Sequence, residues 1–216
     1  MTLLTRETIG FLAALRANND RTWFAAHDAD YRAHLKIAGE AFAAALAEAL
    51  EAMTAEVHRY RIFRIHRDLR FAKDKTPYNA HLHISLSPDG GCSDGGPAWM
   101  FGLEPDRLTL GAGIFKFTRA QLAAWRARIA AGEGEAVARM LDGLETSGVR
   151  IPDPELKRVP APYATDHRHA PLLRRTGLTA WIDGSDTDAA LGADGPAYCA
   201  RELLRLRELF DLLRSL

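Results

Sequence analysis

The amino-acid sequence predicts an α+β protein, an antiparallel sheet packed against N-terminal and C-terminal helices. Three observations carry this reading. Apolar residues recur at helical spacing up to about Met53, the period shortens to two between Tyr60 and Phe115, and helical spacing returns toward Leu213. Helices that flank a run of strands indicate segregated layers, not a doubly wound sheet. No internal repeat or clean linker divides the chain, so residues 1–216 are expected to form a single domain that buries roughly 70% of its unfolded surface.

The elements follow in order. Thr5 can cap a short helix over Arg6 to Ala17, which Asn18-Asn19 stops, and Asn19 or Asp20 restarts a turn carrying Trp23 and Phe24. From Ala29 to Met53 an Ala-rich helix sets Tyr31, Leu35, Phe42, Leu46 and Leu50 on one side, with Asp28 placed to pair with Arg32. Tyr60 to His66 and Leu82 to Leu86 read as strands, and Trp99–Glu104 with Leu108–Phe115 as a hairpin across Pro105-Asp106. The Gly-rich stretch Pro88 to Pro97 matches no phosphate-binding or dinucleotide pattern and reads as a loop.

Thr118 and Gln121 form a capping box for a helix to about Ala131, and Gly132 and Gly134 separate it from a second helix ending before Gly148. Ile151 to Pro162 is dotted with prolines and reads as irregular chain. A short helix at Pro171–Arg175, a strand at Leu178–Ile182 and a terminal amphipathic helix opened by Pro196 complete the chain.

Composition excludes several classes of function. Hydrophobic residues at 47% and charged residues at 26% fit an ordinary globular protein, and no apolar run approaches the about 18 residues of a membrane helix. Arg6 and Glu7 interrupt any signal-peptide core, so a cytoplasmic location is expected. Cys92 and Cys199 lack the spacing of a disulfide framework or a cysteine zinc site, and Cys92 has no base beside it in sequence.

Charge is where the sequence speaks about function. The 28 basic and 28 acidic residues balance, yet Arg59 to Tyr78 holds seven cations against two acids. This is a local positive field in a neutral protein, and its natural complement is an anion. The competing reading is a structural network in which Asp68 and Asp74 pair with their neighbours. Five lysines against 23 arginines make the closely spaced Lys73 and Lys75 unusual. The aromatic residues Tyr60, Phe63, Phe71 and Tyr78 interleave with the cations, as in single-strand nucleic-acid binders, although the zero net charge fits a small anion better.

Further candidates are histidines. His81 and His83 share a strand face, and His66 could add a third ligand, but two imidazoles alone do not make a metal site. Asp166-His167 sits in a Pro-rich loop that could fold over the basic strand, bringing Lys157 and Arg158 with it.

The stretch Phe63 to Tyr78, followed by His81, resembles the signature of the bacterial and fungal family called domain of unknown function 2461. Phe11-Leu-x-x-Leu15 with Asn18-Asn-x-Arg-x-Trp-Phe24 is similar to that family's opening, Gly111-x-Gly-Ile-Phe115 to its Gly-rich strand, and Leu156 to Arg174 to its C-terminal motif. Ala161-Pro162 and Arg168 depart from the family pattern. The family brings no established activity, so the resemblance supports the fold and leaves function to the residues.

The expectation is therefore a pocket for a small anionic, phosphorylated ligand. Arg64, Arg67, Arg70, Lys73, Lys75, Tyr78, Lys157 and Arg158 are the binding candidates, and His81, Asp166 and His167 the catalytic ones for phosphoryl or acyl chemistry. Arg64, Arg67 and Lys75 are expected to converge on one concavity, with His81 within reach. No metal is assigned, and the sequence names no particular cofactor. The alternative is a non-catalytic module that binds nucleic acid or a protein partner through the same surface.

Overall fold

Five strands follow one another in space in the order they follow in sequence, every neighbouring pair antiparallel. They are β1 (His58–Ile62), β2 (Leu82–Pro88), β3 (Ala98–Glu104), β4 (Arg107–Ile114) and β5 (Leu178–Ser185). The computed structural model describes residues 3–70, 72–88 and 95–216. Alternation sets the register: Leu82, Ile84 and Leu86 face Leu103, Phe101 and Trp99 across the β2–β3 ladder, all of them buried. A slip of one residue would turn the whole set to the opposite face. The expected hairpin is present, with Glu104 opposite Arg107 and Pro105-Asp106 at the turn.

Helices cover this apolar face. On the N-terminal side are α1 (Arg6–Ala17), α2 (Arg21–Ala26), α3 (Asp28–Asp30), a wide π-helical stretch at Tyr31–Ile37, and α4 (Ala38–Thr54). Asp20 is the residue that restarts the chain, its carboxylate accepting from the Thr22 and Trp23 backbone N–H groups. The Asp28–Arg32 pair forms at 2.8 Å, and the Thr8 hydroxyl donates to the His34 carbonyl at 2.7 Å, tying α1 to the wide turns. Phe42 of α4 meets Phe101 at 4.8 Å between ring centroids.

On the C-terminal side are α5 (Arg119–Arg128), wide turns at Ile129–Glu133, α6 (Gly134–Thr146), α7 (Ala170–Leu173), α8 (Gly195–Leu204) and α9 (Arg207–Arg214). Thr118 and Gln121 form the expected capping box. Phe210 of α9 stacks on Trp99 at 4.1 Å and 5°, closing the core from that side. The expected single terminal helix is divided, because the chain turns at Arg205-Leu206 and buries Leu206 completely.

One departure shapes the site. The strand expected to run from Tyr60 to His66 leaves the ladder after Phe63, whose N–H donates to the His83 carbonyl at 2.9 Å. Continued alternation would turn Arg64 toward the apolar face. Instead the parity switches, Ile65 is buried at 6% exposure, and Arg64 is exposed.

The return of the chain to β2 is held by Asn19. Its side-chain carbonyl accepts from the Tyr78 N–H at 3.0 Å, and its amide donates to the Tyr78 carbonyl at 2.9 Å. Phe24 stacks on the Tyr78 ring at 4.1 Å and 15°. Asn19→Ala leaves both Tyr78 backbone groups without that partner and is expected to lower stability by about 1 to 3 kcal/mol in chemical denaturation; an unchanged denaturation midpoint would show that the contact is incidental.

Candidate functional site

The segment between β1 and β2 folds back on itself like an irregular hairpin. Arg67 N–H donates to the Pro77 carbonyl at 2.9 Å, Asn79 N–H to the Ile65 carbonyl at 2.7 Å, and the Asn79 amide to the Arg64 carbonyl at 3.1 Å. His66 bridges to Tyr78, its ring 5.2 Å from the Tyr78 ring. With both arms fixed, the side chains of one arm and the start of β2 border a cleft of about 710 Å³.

The acids in the segment hold some of the cations. Asp74 accepts from the Thr76 N–H, the Thr76 hydroxyl and Arg67 Nη1 (2.9, 2.8 and 2.5 Å). The Thr76 backbone bond first, then the Arg67 and Thr76 side chains, hold its carboxyl down at about 2. Arg67 also donates to the Thr76 carbonyl and hydroxyl. Asp68 takes Arg70 through both oxygens, and that pairing lowers its pKa. Lys75 Nζ donates to the Leu69 carbonyl at 3.1 Å.

Two cations remain. Arg61 and Arg64 border the cleft, and neither guanidinium has a hydrogen-bonded or ion-paired partner among the described residues. Arg61 lies over the Phe63 ring, 5.4 Å from its centroid. Opposite them His81 and His83 stack at 3.7 Å and 17°. Burial lowers the pKa of both; at His81 the Glu104 charge opposes this, and the fields of Arg16 and Arg67 act with burial. His83 falls to about 4 through burial and then the His81 charge. Both imidazoles are therefore neutral at pH 7, each with one N–H to donate and one nitrogen to accept.

The expected residues divide on this geometry. Arg64, Arg67 and His81 come together at the cleft, while Lys75 is turned to the Leu69 carbonyl instead. Arg70 points to solvent against Asp68, Lys73 is exposed away from the cleft lining, and Tyr78 is buried at 7% exposure as packing.

Lys157, Arg158, Asp166 and His167 stay with the helices of the C-terminal half. Their loop is tied down by Leu156 N–H to the Arg174 carbonyl, by His167 N–H to the Ala164 carbonyl, and by an Arg168–Glu135 pair at 2.5 Å. The loop therefore does not fold over the basic segment. Among the described residues no three His, Cys, Asp or Glu side chains gather to hold a metal, and His81 and His83 face each other as stacked rings. Cys92 and Phe71 lie outside the described residues.

The sequence reading passed over Arg61 and Asn79 as site residues and weighed His83 only as a ligand for a metal. Arg61 was accessible to it: on a period of two it shares the outer sheet face with Phe63, and an arginine beside an exposed aromatic is a recurrent recognition pair.

The fold and the cleft define an α+β protein with a helix-covered antiparallel meander and a basic cleft at its β1–β2 end. The model of the family described as "Conserved hypothetical protein (DUF2461)" matches residues 7–211, and the chain belongs to that family. No curated protein matches it. Among the described residues no helix is long and apolar enough to cross a membrane.

The histidines make stability depend on pH. Burial also lowers the pKa of His58, so His58, His81 and His83 bind protons less readily in the folded chain than in the unfolded one. Below the ordinary value of 6.5, and down to about 4 for His83, the unfolded chain holds more protons, so stability falls as the pH is lowered. The unfolding midpoint is expected to drop between pH 7 and pH 5, and His83→Asn to make that drop shallower; an identical slope in the variant would remove His83 from the account.

Proposed function

We propose that this protein binds a small anionic ligand, most simply a phosphorylated one, in the cleft between the β1–β2 connection and the start of β2. The observation that carries the reading is the pair Arg61 and Arg64, whose guanidinia border an open cleft of about 710 Å³ and make no ion pair among the described residues, the one carboxylate in the described lining, Asp68, being taken by Arg70. Guanidinium presents a planar fork of donors that matches a phosphate or carboxylate, and such charge-assisted bonds are roughly twice as strong as neutral ones. Arg67, already fixed by Asp74 and Thr76, adds positive potential, and the neutral imidazole of His81 supplies a donor or an acceptor. If a reaction follows binding, His81 is the proton acceptor proposed among the imidazoles that border the cleft. Asp166 and His167 have no part in it.

Pyrophosphate tests the reading. A ligand that binds only the folded chain stabilises it by about 2.7 kcal/mol at a hundredfold excess over Kd, a rise of roughly 5 to 10 °C in a chain of this size. Arg61→Ala combined with Arg64→Ala is expected to abolish the rise while leaving the unliganded midpoint in place, and Arg70→Ala is expected to keep it. Absence of a rise in the native chain contradicts the proposal. Tight binding of a single-stranded oligonucleotide that weakens linearly with log salt would move the function to nucleic acid.

A further inference from the structure

The outer face of the sheet holds a second hollow of about 640 Å³ that shares Phe63 and His83 with the basic cleft. Ser85, Gly102 and Thr109 in its lining, and Gly111 paired with Trp181, leave room in its floor for the larger side chains beside them. In one row across the sheet His83, Gly102, Thr109 and Asp183 are paired neighbours, and in the next Ser85, Met100, Gly111 and Trp181. Close approach requires one of these glycines and crowds the other: a Cβ at Gly111 would lie 2.5 Å from the Trp181 ring, and one at Gly102 would lie 3.2 Å from the His83 ring, a tight contact. The rings of Trp181 and His83 thus lie down across the floor.

Aromatic rings also wall the hollow. Phe63 and Phe115 are 49% and 70% exposed, and Phe115 stands 5.9 Å from Trp181. Exposed rings grouped around a concave apolar floor mark a binding surface more often than isolated exposed residues do.

The charges show which way a ligand would lie. At the far rim Arg107 is paired with Glu104 at 2.5 Å and Arg150 with Asp183 at 2.5 Å, so that end neutralises itself. At the near end Arg61 and Arg64 are without partners among the described residues. A ligand that fits both regions is anionic at one end and aromatic along a body lying over β2 to β5, where three strand spacings span about 14 Å. The volume falls within the roughly 300 to 1,000 Å³ usual for small-molecule sites.

Resting on the proposed anion site, we infer that the ligand is an organic anion with an aromatic body, its phosphate or carboxylate at Arg61 and Arg64 and its ring system on the sheet face between His83 and Trp181. Stacking and burial of the ring supply affinity that inorganic phosphate lacks.

Calorimetric titration with 2-naphthyl phosphate and with inorganic phosphate tests this. The aryl ester is expected to bind at least tenfold more tightly. Ser85→Trp, which fills the floor from β2, is expected to erase that advantage while leaving phosphate affinity unchanged, and Thr109→Trp to do the same from β4. Equal affinity of the two probes in the native chain overturns the inference and leaves the anion site standing. An aryl preference that survives both substitutions also overturns it. Failure of phosphate, pyrophosphate and the ester alike overturns the anion site and this inference with it.

Discussion

The paired hydrogen bonds between the Asn19 amide and the backbone of Tyr78 are the contact on which the site depends. The connection from β1 to β2 buries little apolar surface of its own: of its described residues only Ile65 and Tyr78 are buried. A loop so rich in like charge gains little from its surface ion pairs, each worth about 0 to 1 kcal/mol. Its geometry comes from outside. Asn19 satisfies both polar groups of one residue, Phe24 stacks on that residue's ring, and the arm carrying Arg64 and Arg67 is registered against the arm carrying Asn79 and His81. The α1–α2 corner therefore sets where the cations of a distant segment stand.

Five of the seven cations of that segment then separate by role. Asp74 and Thr76 fix Arg67, Asp68 holds Arg70, and a backbone carbonyl takes Lys75. These contacts shape the loop. Among the described residues Arg61 and Arg64 make no ion pair of this kind, and Asp68, the acid that borders the cleft with them, is taken by Arg70, so a bound anion would relieve the repulsion between the two guanidinia. The sheet repeats this division on a larger scale. One face is filled by α4, α8 and α9 around Phe42, Trp99 and Phe210, and the other keeps a floor of small residues between exposed rings.

Much of this was legible in the sequence, and the exceptions have physical causes. The β2, β3 and β4 strands and their register follow from strict alternation of large apolar residues, and the α5 cap from a local Thr–Gln pair. The cationic segment pointed to the cleft region by composition. The parity switch at Ile65 could not be read there, because Arg64 and Ile65 alternate equally well in either phase. The Asn19 contact joins residues 59 positions apart through hydrogen bonds that leave no periodic trace. The placement of Lys75 was hidden for a related reason: charge says that a lysine attracts an anion, and only the path of the loop shows the Leu69 carbonyl beside it. Asp166 and His167 were grouped with the basic segment on chemistry alone, while their loop is anchored to Arg174 and Glu135.

Arginine side-chain NMR examines the central claim most directly. In protein labelled with nitrogen-15 at arginine, the Nε–H signals of Arg61 and Arg64 are expected to shift together, saturably and before any other, as pyrophosphate is added. If those two signals stay in place, or if shifts of equal size spread over remote surface arginines such as Arg158 and Arg201, the basic cleft is not an anion site.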